Sequence, residues 1–379
     1  MRITFASNYF SHHQKPLSDA LRQLTGGEYR FIATQPVSTE RVSLGWEVDS
    51  SPSYVSEALD GYLSEDDARW LQSSDVLLFG SAPEALLKGY LAGGGLAFRY
   101  SERPLKEGDS ALKRIPRWVR WHRRNPACAD LYLLSAGAYA ASDYARYGLF
   151  ENRAYEWGYF PPLKTYDDVG SLIAAKQPAS LLWCGRFLGW KHPELALHAV
   201  RLLKEQGYGV RLTMIGAGPM ETDLRQMVQT YGLQANVAIL PPRANVEVRR
   251  LMEQHQVFLF TSGGQEGWGA VLNEAMNSAC AIVASEMAGS TPYLIRNGEN
   301  GLVCSELSAE AYSDRIAQLL DSDAQRESLS AAAYQTVTDL WNAQVAGRRL
   351  MALSTAILGG KVSPDLFDDG PCSKANRSE

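Results

Sequence analysis

Two glutamates, Glu266 and Glu274, have seven residues between them in the run Gln265-Glu266-Gly267-Trp268-Gly269-Ala270-Val271-Leu272-Asn273-Glu274. The apolar run at 257–260 predicts a strand and 270–278 a helix. Glu266 therefore falls on a strand-to-helix loop, and Glu274 about one turn inside the helix. Gly267 and Gly269 let the backbone approach a ligand closely, and a helix start offers unpaired N–H groups to an anion. The carboxyl end of a parallel strand is where open α/β sheets bind ligands. The bland alternative is one solvated and one capping carboxylate.

Arg186 and Lys191 occupy a second strand-to-helix loop, Cys184-Gly185-Arg186-Phe187-Leu188-Gly189-Trp190-Lys191. A forked guanidinium and a point-charge ammonium suit a diphosphate, and ordinary surface cations are the competing explanation. Gly216-Ala217-Gly218-Pro219 begins like a dinucleotide fingerprint, but Glu221 stands where the third glycine would be, so only a tight turn beside a nucleotide is expected. His12 and His13 lie in the first loop, and Glu102 and Arg103 end a predicted strand, where a surface ion pair is the simplest account. Asp321-Ser322-Asp323 has the D-x-D spacing of metal-dependent transferases, yet it sits between two predicted helices, so Asp323 is expected as an N-cap and no metal is expected. Residues 113–124 carry Lys113, Arg114, Arg117, Arg120, Arg123 and Arg124 interleaved with Trp118 and Trp121. Cations with tryptophans suit an anionic membrane surface, so contact through Arg117, Trp118, Arg120, Trp121, Arg123 and Arg124 is expected.

Something must hold these segments in place. Apolar runs at 3–6, 29–33, 76–79, 96–100 and 131–135 predict strands, alternating with helical patterns at 14–24, 65–73 and 83–91. The pattern restarts with strands at 181–184, 211–215, 237–240, 257–260 and 281–284 and helices at 193–206, 220–231, 246–254 and 270–278. Such β-α alternation predicts α/β domains, parallel sheets with helices on both faces. For 379 residues, two doubly wound domains fit better than one ten-stranded sheet. Pro161, Pro162 and Pro178 punctuate the restart, giving expected domains at 1–165 and 175–340. Residues 324–358 are helical in pattern, with 341–360 expected to cross back to the first domain and 362–379 to form a flexible tail.

Composition excludes several classes. With 45% hydrophobic and 21% charged residues the chain is an ordinary globular protein. Lys+Arg 37 against Asp+Glu 42 gives a net charge of −5, so no global basic field points to nucleic acid. The five cysteines (Cys128, Cys184, Cys280, Cys304 and Cys372) show no C-x-x-C spacing, which argues against a disulfide framework or zinc knuckle. Met1–Ala6 reads as a strand rather than a signal peptide, and no run approaches the ~18 apolar residues of a membrane span. A cytoplasmic protein, peripheral on the inner membrane face, is the expectation.

Taken in order, G-R-x4-K, G-x-G-P, E-G-x-G with E-x7-E, and Asn297-Gly298-Glu299-Asn300-Gly301 resemble the retaining nucleotide-sugar glycosyltransferases of family 4 over roughly 181–304. The first half is similar to bacterial capsule and exopolysaccharide transferases of that family through Ser7–Gln14, Phe98–Arg103 and Trp157–Pro161. The resemblance implies a GT-B fold, two doubly wound Rossmann-like domains facing across a cleft, with the donor in the second and most of the acceptor in the first. It implies Glu274 on the ribose, Glu266 on the transferred sugar, and Arg186 and Lys191 on the leaving diphosphate. Further donor contacts are implied for Gly185, Gly216, Gly218, Pro219 and the backbone of Gly267, Trp268, Gly269, Ala270, Val271 and Leu272. His13, Glu102 and Arg103 are implied on the phosphate or acceptor side. Two departures stand out: Asn8-Tyr9-Phe10-Ser11 replaces paired glycines, and Trp268 replaces a usual Phe, where it would narrow the sugar pocket or stack on the donor. The implied activity is hexosyl transfer from a nucleotide diphosphate donor, UDP by family frequency, to a glycan or lipid-linked hydroxyl, with no cofactor. Epimerisation of a sugar nucleotide and non-enzymatic donor sensing are the alternatives.

Overall fold

The computed structural model describes residues 1–37, 52–58, 62–127 and 130–375, in two units: Met1–Pro162 with Trp341–Glu379, and Leu163–Leu340. Among the described residues, unit 1 holds seven parallel strands: β1 (Ile3–Ser7), β2 (Tyr29–Ala33), β3 (Val55–Glu57), β4 (Val76–Phe79), β5 (Leu96–Ser101), β6 (Leu131–Ala136) and β7 (Ala154–Trp157). Their spatial order is β3-β2-β1-β4-β5-β6-β7. Every residue of β1 and β6 is buried, because a central parallel strand is covered on both faces and loses its polar alternation.

Unit 2 repeats the design with β8 (Gln177–Cys184), β9 (Arg211–Ile215), β10 (Val237–Leu240), β11 (His255–Phe260), β12 (Ala281–Ser285) and β13 (Leu302–Cys304), in the order β10-β9-β8-β11-β12-β13. One face of this sheet packs Leu181, Trp183, Leu212, Met214 and Val257 against Leu197, Val200 and Ile316 of flanking helices. In each unit, strand order reverses once: between β1 and β4, and between β8 and β11.

The three strands without a clear sequence signal, β3, β7 and β13, are all sheet edges of three or four residues. An edge strand has one neighbour and needs no long apolar run. The helical stretch at 324–358 is broken. Asp323–Gln335 gives way to a π-turn at Thr336–Leu340, and Asn342 then caps Ala343–Leu358 by accepting the Val345 N–H at 2.9 Å. That last helix lies on helix Lys15–Leu24 of unit 1, where a Cβ at Gly347 would stand 2.9 Å from Leu24 Cδ1. The N-cap expected at Asp323 is one residue earlier: Ser322 Oγ accepts the Gln325 N–H at 3.2 Å.

The segment expected as a flexible tail is instead tied to the β7 edge as far as residue 375. Cys372 N–H donates to Glu156 O at 2.9 Å and Glu156 N–H to Ser373 O at 2.8 Å, around an antiparallel bridge from Tyr155 to Lys374. Cys372 is buried there, and the segment covers backbone groups that the edge would otherwise leave unpaired. Residues 376–379 and Cys128 lie outside the described residues. Cys184, Cys280, Cys304 and Cys372 are free thiols. Among the described residues no helix is long and apolar enough to cross a membrane.

Candidate functional site

Strand-order reversal leaves a crevice between the carboxyl ends of β8 and β11, because the following chain departs to opposite sides. Two loops border it. After β8, Gly185–Leu188 leads into a 3₁₀ turn at Gly189–Lys191, and His192, held in the left-handed region at φ 47°, starts helix Pro193–Glu205. After β11, Thr261–Ala270 leads into helix Val271–Asn277.

The loops meet in an ion pair between Lys191 Nζ and Glu266 Oε2, with both side chains nearly buried. Ser262 Oγ donates to the same carboxylate oxygen at 3.0 Å. The seam is tightened by Gly263 N–H to Trp190 O at 2.8 Å and by Thr261 Oγ1, which donates to Lys191 O at 2.6 Å and accepts from Trp183 Nε1 at 2.8 Å. Lys191 Nζ also lies 4.6 Å from the centre of the Trp190 ring. Arg186, on the same loop, is exposed and has no side-chain partner among the described residues. The crevice thus holds one cation already matched by a carboxylate and one left open to solvent.

Glycines lock this arrangement. A Cβ on Gly216 would lie 1.9 Å from Gly185 O, and one on Gly218 2.5 Å from Phe187 O. The two glycines of the β9 loop are therefore needed for contact with the β8 loop itself. Phe187 N–H donates to Ala217 O at 2.9 Å along the same seam. On the other side, Gly289 N–H donates to Glu266 O at 3.1 Å, and a Cβ there would stand 2.0 Å from Gly267 O. Gly269 has φ 85°, with the Phe260 ring 2.4 Å from where its Cβ would be.

Glu274 is buried on helix Val271–Asn277 and accepts from Asn245 Nδ2 at 2.6 Å. Burial pushes its carboxyl up, and the Asn245 hydrogen bond and nearby Arg249 oppose the rise. It lies near the end of β8: burial first, and then the Glu274 charge, push the Cys184 thiol up to about 12. Glu274 and Lys191 thus both lie close enough to Cys184, at the carboxyl end of β8, for their charges to act on it.

Two expected donor contacts move. The Trp268 ring is fully buried, with Nε1 donating to Asn273 Oδ1 at 2.8 Å, so it supports the loop from beneath and does not offer a stacking face. The Leu272 N–H already donates to Gly269 O at 2.9 Å, which removes it from the expected row of free amides. Pro219, Ala270 and Val271 remain on the bordering loops. Sequence reasoning passed over Ser262, Asn245 and Gly289. A Ser-Gly-Gly stretch ahead of Glu266 was the available signal for the first; the other two are brought in from separate elements by the fold alone.

In unit 1, Glu102 and Arg103 do not pair with each other. Glu102 is held by Lys106 and by Tyr159 Oη at 2.8 Å, and Arg103 grips the buried Asp143 carboxylate at 3.2 and 3.3 Å. His13 lies against His12, ring centroids 3.9 Å apart, and 6.3 Å from the Tyr159 ring. Burial first, and the His12 charge second, push its imidazole down to about 3, so it is neutral at physiological pH.

The basic segment forms helix Arg114–Arg124. Trp121 is buried against Tyr144 and Tyr147, and Arg117 binds Asp109 at 2.5 Å and Tyr147 Oη at 3.0 Å. Both therefore face the core, contrary to the expected membrane contact. Asp321 accepts from Tyr208 Oη at 2.9 Å and Asp323 pairs with Arg326 at 2.5 Å. Among the described residues no three His, Cys, Asp or Glu side chains converge as a metal site.

Residues 168–336 match the family described as Glycosyl transferases group 1. Over 194 residues the chain is 29% identical to WcaL of Salmonella typhimurium, named as a colanic acid biosynthesis glycosyltransferase, covering 49% of this chain and 47% of WcaL. It is 29% identical over 182 residues to the amylovoran biosynthesis glycosyltransferase AmsK of Erwinia amylovora, covering 47% of this chain and 44% of AmsK. The chain spans about half the length of the curated relatives it matches. The crystal structure of Anabaena HepE in complex with UDP and glucose superposes with a TM-score of 0.65 and 13% identity, over 94% of this chain and 99% of that one. At this identity the likeness is one of fold, and the two parallel-sheet units have the GT-B fold.

Proposed function

We propose, from the membership of residues 168–336 in the group 1 glycosyl transferases, that this protein is a glycosyltransferase of bacterial surface polysaccharide biosynthesis. Its donor is a nucleoside diphosphate sugar, with UDP as the nucleotide, and its acceptor a hydroxyl of a glycan or lipid-linked sugar. The observation that carries this reading is the Lys191–Glu266 pair at the reversal point of the second sheet, with Arg186 open beside it.

Departure of a nucleoside diphosphate develops negative charge, and a preorganised ammonium and guanidinium lower its energy. Lys191 exchanges its Glu266 partner for the diphosphate, which frees the Glu266 carboxylate to accept hydrogen bonds from hydroxyls of the transferred sugar. Ser262 keeps that carboxylate oriented during the exchange. Glu274 accepts from the ribose hydroxyls in place of Asn245. Transfer proceeds with retention: the acceptor oxygen attacks from the face that the phosphate leaves, and the departing phosphate oxygen takes the acceptor proton. No dedicated general base is required on this route.

The test is incubation with a panel of nucleotide sugars and a lipid-linked or oligosaccharide acceptor, following nucleoside diphosphate release and the anomeric configuration of the product by NMR. Acceptor-dependent UDP release with retained configuration is the expected result. Donor binding without release would favour a sensor, and an inverted product would remove the retaining route.

A further inference from the structure

Helix Arg114–Arg124 is built the wrong way round for a helix that merely covers a sheet. At about 3.6 residues per turn, Leu112, Ile115 and Val119 fall on one side of it, and Arg117 and Trp121 on the other. The inward side is the second one. Leu112 is 92% exposed, Ile115 78% and Trp118 50%, and Val119 is also exposed, so a continuous apolar stripe faces away from the core. Isolated exposed apolar residues need no explanation, but four large ones along one short segment do.

Cations border the stripe. The helix carries no acidic residue, and among the described residues its ion-pair partners are Asp109 and Glu84. Asp109 takes Arg114 and Arg117, and Glu84 takes Arg99 and, at 3.8 Å, Arg124. Among the described residues, Lys113, Arg120 and Arg123 remain exposed without a carboxylate partner, and so does Lys88 on helix Glu84–Ala92. Lys88, Arg120, Arg123 and Arg124 line a 440 Å³ groove whose apolar wall is Pro116 and Val119. An anion in this groove would meet four cations, while a chain attached to it would lie along the stripe.

We propose that this face of unit 1 docks on an anionic phospholipid surface: phosphate headgroups enter the Lys88–Arg120–Arg123 groove, and Leu112, Ile115, Trp118 and Val119 insert at the headgroup–acyl boundary. Apolar residues directed outward and flanked by unmatched cations fit that partner on both counts. A soluble acidic protein would account for the cations but leave the stripe in water. The proposal extends the transfer reading by placing the enzyme where a lipid-linked acceptor is found, yet it stands on surface residues remote in sequence from the donor loops.

Sedimentation with phosphatidylcholine vesicles, with and without phosphatidylglycerol, tests it. Wild type should bind only the anionic vesicles, and less as salt rises. Arg120→Ser with Arg123→Ser should weaken binding by roughly fivefold per cation, on the order of 25-fold together. Leu112→Ser with Ile115→Ser should weaken it by at least about tenfold and leave the remainder more salt-sensitive. UDP affinity, measured in parallel by calorimetry, should be unchanged in both variants, so loss of vesicle binding is separable from failure of the donor reading. Equal sedimentation of wild type and both variants would overturn the proposal. So would release by inorganic phosphate at constant ionic strength, which would reassign the groove to a free phosphate ligand.

Discussion

The two units share a topology and use it differently. In unit 2 the reversal point between β8 and β11 joins Lys191 to Glu266 across two loops, with Glu274 buried on the helix that follows the second loop. In unit 1 the equivalent point, between β1 and β4, is bordered by the loop that carries His12 and the neutral imidazole of His13. The charges of unit 1 stand one strand further out, at the end of β5, where Glu102 and Arg103 are matched by Lys106 and Asp143. The packing differs as well. Unit 2 locks its loops backbone to backbone at Gly216, Gly218 and Gly289, whereas at Gly80 of unit 1 the nearest obstacle is the Ser7 hydroxyl, 2.7 Å from where a Cβ would stand. A doubly wound sheet therefore supplies a crevice; the residue types on the bordering loops, and the rigidity of those loops, decide what it can bind.

The sharpest way to break this comparison is to remove one paired cation from each unit. Lys191→Ala should lower sugar transfer by roughly 10²–10³-fold, since it removes a preorganised charge and leaves Glu266 unmatched. Lys106→Ala, whose partner Glu102 is more exposed, should change acceptor-independent donor hydrolysis by no more than about threefold. Similar losses in both variants would mean that the units share the donor chemistry.

Glu274→Ala should weaken UDP binding by about 1.5–3 kcal/mol in calorimetry, the scale of hydrogen bonds to a charged group. His13→Gln, in the other crevice, should leave UDP affinity within about twofold. Unchanged affinity in a folded Glu274 variant would remove its ribose role.

Loop rigidity is tested by a single methyl group. Gly289→Ala drives a Cβ into the Gly267 carbonyl, a backbone atom that cannot rotate away, and should cost about 1–3 kcal/mol in thermal or urea unfolding. Gly80→Ala meets a hydroxyl that can turn, so its cost should be below about 1 kcal/mol. The opposite ranking would show that the unit 1 loop is the stiffer one.

The smallest effect belongs to unit 1 alone. Burial first, and the Asp369 charge, push the Glu156 carboxyl up from 4.5 to about 7, beneath the segment that covers β7. A carboxyl raised in the folded state favours folding while protonated. That contribution is complete below about pH 4.5 and is lost as pH rises through about 7. Glu156→Gln should therefore melt about 2–4 °C above wild type at pH 8 and together with it at pH 4.5. A gain at both pH values would point to packing rather than titration.

The sequence by itself determined most of the elements and the places of the candidate site residues on them. Apolar runs long enough to be buried on both faces marked the central strands of both units, because burial dictates residue type locally. Loop position after a strand marked Arg186, Lys191 and Glu266, and the first turns of the next helix marked Glu274, because a parallel sheet delivers such segments to one edge wherever its strands lie. The edge strands β3, β7 and β13 gave almost no signal, since one neighbour demands little burial. What only the tertiary structure decided was pairing and direction. Glu102 and Arg103, adjacent in the chain, turn to different partners, and Gly289 reaches Glu266 from the loop after β12. The indole of Trp268 is buried under its own loop, and Cys372 is sealed against β7 where composition suggested a loose end. The basic helix shows the limit most plainly: its periodicity is legible, but which side meets the core was set by Tyr144, Tyr147 and Asp109 from elsewhere in the unit. Local pattern is a property of neighbours along the chain. Partner choice depends on distances that exist only once the sheets have formed.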